Sequence, residues 1–188
     1  MKSATVEWEE RIVFYFQIIA CQANAYNNRL SGDRTIGSVE LTLIKVASGR
    51  LGATEQVRTP DGLAAIYSSR ARSLVDAIYD WSRFDTLPRA YGWVEQELAA
   101  AHVTAGELAE LTLRYGNQGT IRRMGVLLER ADVAEPTLKK LERGLAESAS
   151  VIAWVPNRPR RGPTAKRWGV ILNVLPTQRR WRRSSEPL

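Results

Sequence analysis

The chain reads as an α+β fold: N-terminal strands, a central run of about five helices, and C-terminal strands that return to the first sheet. Three observations predict it. Residues 38–46 (SVELTLIKV) alternate with period two and set a mostly apolar face on a strand. From residue 69 to about residue 145 apolar positions recur at helical spacing, interrupted at Leu87-Pro88, Thr104 and Gly116. From Val151 the strand pattern returns, with residues 151–155 and 168–175 on either side of a basic loop.

Each element has a local reason. Residues 7–17 (EWEERIVFYFQ) are dense in β-branched and aromatic side chains, so the fold opens on a strand. Residues 23–37 are rich in Asn, Gly and Asp and read as a loop. In the next strand Val39, Leu41, Leu43 and Lys45 share one face, and Glu40, Thr42, Ile44 and Val46 the other. Residues 54–58 and 63–67 make a hairpin around Pro60-Asp61-Gly62. Ser68 or Ser69 caps a helix carrying Leu74, Val75, Ile78 and Tyr79. A second helix runs from Arg89 to His102. Thr104 and Glu107 form a capping box for a third, with Leu108, Leu111 and Tyr115 on one side. Gly116, Asn117 and Gly119 end it. Residues 120–130 form a fourth, apolar at Ile121, Met124, Leu127 and Leu128. Pro136 suits a first helical position, and Leu138, Leu141 and Leu145 continue that fifth helix. Residues 1–176 make one domain, and 177–188 read as a flexible basic tail.

The 188 residues suffice for a real core, and 44% hydrophobic with 25% charged residues is ordinary for a globular protein. No apolar run is long enough to span a bilayer, and the acidic start does not resemble a secretory signal. The single cysteine, Cys21, has no internal disulfide partner, so a cytoplasmic location is expected. The net charge is +7, but from Asn157 onward nine Lys or Arg face one Glu, leaving the rest nearly neutral. Basicity confined to one region points to an acidic partner: a phosphate backbone or an acidic protein surface.

Catalytic chemistry has little to stand on. One His and one Cys cannot form a zinc cluster, and His102 sits at a helix end as a poor triad member. Residues 49–52 (GRLG) lack the Lys-Ser/Thr ending of a phosphate loop. Glu40 and Lys45 fall on opposite strand faces, against a metal nuclease. The expectation is a non-enzymatic protein without cofactor or metal. The binding candidates are cationic. Arg158, Arg160, Arg161, Lys166 and Arg167 lie in a loop stiffened by Pro159 and Pro163, and Arg179, Arg180, Arg182 and Arg183 lie in the tail. Guanidinium forks pair bidentately with phosphate or carboxylate. Trp168 and Trp181 adjoin arginines and could stack on unpaired bases, though Trp168 equally suits a core. Arg122 and Arg123 open their helix against its dipole, which fits a partner contact or a buried structural role.

The segment from Arg114 to Glu129 (RYGNQGTIRRMGVLLE) resembles the "gn-ati-RRLGyLLE" helix of AbiEi-type antitoxins. Residues 69–76 (SRARSLVD) resemble that family's "pERTLlD" element, and residues 166–173 (KRWGVILN) are similar to its closing "rWgvivN" strand. The three motifs occur in the family's order across about residues 65–175. The resemblance implies an antitoxin of a type IV toxin–antitoxin system, partnered with a nucleotidyltransferase-like toxin and in contact with DNA or RNA. It also implies family-motif roles for Arg72, Asp76, Gly125 and Asn173, with Arg72 and Asp76 spaced i,i+4 for an ion pair. Ser73 and Met124 stand where the family usually has Thr and Leu. The chain begins almost at the first strand of the antitoxin module, so neither an N-terminal winged helix nor self-repression through one is expected. The alternatives are a stand-alone nucleic-acid-binding accessory protein and a small nuclease.

Overall fold

The alternating segment forms the strand it predicts, next to one edge of an N-terminal sheet. The computed structural model describes residues 13–15, 22–36, 39–58, 64–147 and 150–174. Among them the class is α+β, with six α-helices and nine strands. Strands β1 (Val13–Tyr15), β2 (Gln22–Asn27), β3 (Gly32–Ile36), β4 (Val39–Lys45), β5 (Thr54–Arg58) and β6 (Ala64–Ser68) form one sheet in the order β3-β4-β2-β1-β6-β5. β5 and β6 are the expected antiparallel hairpin, from Thr54 opposite Ser68 to Arg58 opposite Ala64. β2 runs parallel to β4, with Ala25 opposite Leu43.

The loop expected over residues 23–37 is corrected: most of it is β2 and β3. β2 buries Ala23, Ala25 and Tyr26, but small alanines among asparagines carry little hydrophobic signal. β3 is an edge strand exposed at every position, so nothing forces an apolar alternation on it. Only the link between them has loop chemistry. The Asn27 side-chain oxygen accepts the Arg29 and Leu30 amides at 2.9 and 2.6 Å, closing an Asx turn.

The helices follow their caps. Ser69 Oγ accepts the Arg72 amide at the start of α1 (Arg70–Tyr79). The short α2 (Trp81–Phe84) and α3 (Arg89–Ala99) flank Leu87-Pro88. Thr104 caps α4 (Ala105–Tyr115) through the Glu107 amide at 3.1 Å. Asn117, expected only to stop α4, caps α5 (Gln118–Arg130) through the Thr120 amide at 2.9 Å. α6 (Glu135–Glu142) ends before Leu145, earlier than the leucine spacing implies. The Gln118 carboxamide takes both the Gly144 carbonyl and the Ala146 amide, holding the chain in a turn there.

α5 is the centre of the molecule. Every residue from Thr120 to Leu128 is buried, so the helix is covered on all sides. α1, α3, α4 and α6 supply Val75, Ile78, Val94, Leu108 and Leu141 to the core around it. The remaining cover comes from the end of the chain. Strands β7 (Ile152–Ala153), β8 (Thr164–Ala165) and β9 (Val170–Ile171) form their own sheet in the order β7-β9-β8, with β7 and β9 parallel. The expected return of these strands to the first sheet is therefore corrected. Trp154, Val155, Trp168 and Val170 enter the helical core instead.

Gly125 explains how close this layer lies. A Cβ built there would sit 2.3 Å from Cε3 of Trp168, whose ring is 1% exposed. Gly125→Ala is expected to lose about 1–3 kcal/mol through overpacking. Urea titration checks this: an unshifted midpoint would mean the indole yields freely.

Candidate functional site

The sequence nominates cations, and the structure sorts them by what they already hold. Arg122 and Arg123 are each 7% exposed. Arg122 Nη1 donates to the Ser150 carbonyl at 2.7 Å. Arg123 donates to the Ala153 carbonyl at 3.0 Å and the Trp154 carbonyl at 3.3 Å. Tyr91 stacks on Trp154 at 3.8 Å and gives its hydroxyl proton to the same Trp154 carbonyl. Burial pushes the Arg123 guanidinium below its ordinary pKa and the Tyr91 phenol above its own. The partner-binding expectation for Arg122 and Arg123 is thus corrected. Their donors satisfy backbone carbonyls of the C-terminal layer, which α5 would otherwise leave bare.

Arg167 and Trp168 are also occupied. Arg167 forks onto Glu135 at 2.8 and 3.0 Å and reaches Glu142 at 2.8 Å. Its ring neighbour Trp168 donates Nε1–H to Glu129 at 3.0 Å. Base stacking by Trp168 is therefore corrected to a core role. Hydrogen bonds from Arg167 hold the Glu135 carboxyl below the ordinary carboxylate range. A carboxyl depressed on folding stabilises the fold above its unfolded pKa of about 4.3. That contribution is lost as pH falls through the lowered folded value. Thermal melts of wild type and Arg167→Gln should differ at neutral pH and converge in acid; parallel curves throughout would refute a pH-linked clasp.

Arg158, Arg160, Arg161 and Lys166 remain, all exposed on the segment joining β7 to β9. This segment is held at both ends. Asn173 Oδ1 accepts the Val155 amide at 2.9 Å, and its Nδ2 donates to the Val155 carbonyl at 2.9 Å and the Arg158 carbonyl at 3.4 Å. The Leu172 amide donates to the Pro163 carbonyl at 2.8 Å. Gly162 sits at φ +152°, and a Cβ there would meet the Leu172 carbonyl oxygen at 2.2 Å. Arg179, Arg180, Arg182 and Arg183, with Trp181 and Cys21, lie outside the described residues.

A second charged group ties the sheet side to the helices. Arg72 and Asp76 form the i,i+4 pair that their spacing suggests, and Arg50 Nη2 adds a bond to Asp76 Oδ1 at 2.7 Å. Arg50 lies over the Tyr79 ring at 3.7 Å and Arg72 over Tyr115 at 3.8 Å. The sequence offers no signal for Arg50, since a glycine-flanked arginine reads as surface. Tyr26 donates to Asp80 at 2.5 Å, and burial beside that carboxylate raises the phenol's pKa. A cavity of about 310 Å³, walled by Leu74, Phe84 and Trp93, lies beside this group and shares only Asp76 with the nominated residues. His102 pairs with Glu97 at 3.1 Å on the exposed surface. Among the described residues no cluster of His, Cys, Asp and Glu could hold a metal ion, and no helix is long and apolar enough to cross a membrane.

A scan of protein-family models and searches of curated proteins and of solved structures return no match to this chain.

Proposed function

We propose that the chain is a non-enzymatic antitoxin of the type IV kind, countering a nucleotidyltransferase-like toxin, and that the exposed loop bearing Arg158, Arg160 and Arg161 is its contact with an acidic partner. One observation carries the reading. The three stretches that resemble AbiEi antitoxins meet in one framework: Arg72 of the first lies over Tyr115 of the second, and Gly125 of the second lies under Trp168 of the third. Residues far apart in the chain that resemble one family and also interlock support descent of the whole module. Within that framework Arg72, Arg122, Arg123 and Arg167 are bonded internally, whereas the loop's Arg158, Arg160 and Arg161 are exposed.

Co-expression with the nucleotidyltransferase-like toxin tests this. Wild type should restore growth, and Arg158→Glu/Arg160→Glu/Arg161→Glu should lose protection with an unchanged melting temperature. Wild type that never protects would sink the antitoxin reading. Salt-sensitive binding to nucleic acid without protection would favour the second reading, a stand-alone accessory protein, which the same exposed loop supports.

A further inference from the structure

We propose that Asn173 is the positioning residue of the basic loop, presetting its path so that Arg158, Arg160, Arg161 and Lys166 meet a phosphodiester backbone through charge alone. This rests on the loop being the anion contact proposed above.

The geometry points to Asn173 because its carboxamide does what a strand neighbour would do. It pairs with both backbone groups of Val155, one accepted and one donated, each at 2.9 Å. Its second N–H reaches the Arg158 carbonyl at 3.4 Å, at the base of the cationic stretch. The chain beyond is stiff: the Arg161 amide donates to the Pro159 carbonyl at 2.9 Å, and Gly162 takes a conformation reserved for glycine. Four long cationic side chains on a floppy loop would lose backbone freedom on binding. A loop already fixed avoids that loss, so rigidity appears as affinity.

The ligand class follows from what the loop lacks. From residue 156 to 167 it offers no large aliphatic or aromatic side chain as an anchor; the neighbouring Trp154, Val155 and Trp168 all face the core. Protein interfaces draw most of their energy from such anchors, and their cores are poor in charge. Phosphate contacts need only correctly placed donors. With Trp168 buried, no described ring next to the loop is left for base stacking, so binding should be indifferent to sequence and strand type.

The test is fluorescence anisotropy of the full chain with a labelled DNA duplex and a single-stranded RNA of mixed sequence, over a salt series. Arg160→Ala should flatten the log–log salt slope on the duplex by about 0.9, as expected for one lost phosphate contact. Asn173→Ala should weaken binding about tenfold with the slope unchanged, because the charges remain and only their placement is lost. Gly162→Ala, a separate lesion in the same loop, should repeat that signature if Asn173→Ala proves too unstable to study. Melting temperatures separate loop effects from global unfolding. Asn173→Ala and Gly162→Ala binding like wild type would overturn the positioning role alone. An Arg158→Ala/Arg160→Ala/Arg161→Ala variant binding like wild type would instead overturn the reading of the loop as the anion site. Equal competition by poly-glutamate at matched charge would overturn the phosphodiester assignment in favour of an acidic protein surface.

Discussion

Asp76→Ala is expected to remove about 3–5 kcal/mol of folding stability, the usual effect of deleting one partner of a buried ion pair. Asp76 is 2% exposed and holds two guanidiniums, Arg50 on one carboxylate oxygen and Arg72 on the other. Both arginines are pinned over tyrosine rings and cannot swing into water without losing those contacts. Removing the carboxylate therefore strands buried positive charge, and desolvation of an unpaired ion outweighs the lost hydrogen bonds themselves. Against a typical total of about 5–15 kcal/mol, this leaves a marginal protein. Equilibrium urea unfolding measures it directly. A loss below about 1 kcal/mol, the range of exposed pairs, would show that solvent reaches the cluster.

The second large effect concerns Arg122 and Arg123. Reversing both to glutamate is expected to abolish folding rather than merely a contact. Each guanidinium now donates to carbonyl oxygens of residues 150–154. A carboxylate in its place offers acceptors to acceptors in a site 7% exposed, and two such changes should exceed about 5 kcal/mol together. Circular dichroism and solubility of the double variant report the outcome. A folded, soluble double variant would return these residues to the surface and restore them as contact candidates.

Much of the architecture was legible because local signals agreed with the tertiary structure. Residues 38–46 alternate, and Val39–Lys45 form a strand; Ser69 and Thr104 look like caps and are caps; the two strands expected at 54–58 and 63–67 pair antiparallel as Thr54–Arg58 and Ala64–Ser68. Misreadings arose where burial comes from elsewhere in the chain. β3 is exposed throughout and shows no apolar rhythm. On α5, Ile121, Met124, Leu127 and Leu128 write one apolar face, but the opposite face is covered too, by a layer thirty residues further on whose carbonyls require arginine donors. A sequence cannot distinguish an arginine facing phosphate from one facing backbone oxygen, because the donor chemistry is the same. For the same reason Arg167 looked available until three glutamates closed around it. The Arg72–Asp76 pair was readable from spacing, whereas its third member, Arg50, was not.

The two-residue strands of the C-terminal sheet are too short to persist by themselves. They endure because α5 grips their carbonyls and receives Trp168 into the groove at Gly125. Helix and ribbon are therefore expected to open and close as one foldon, and hydrogen exchange should find the protected amides of both limited by whole-molecule unfolding. Any partner that engages the ribbon is coupled to the global stability of the protein and not to a detachable flap.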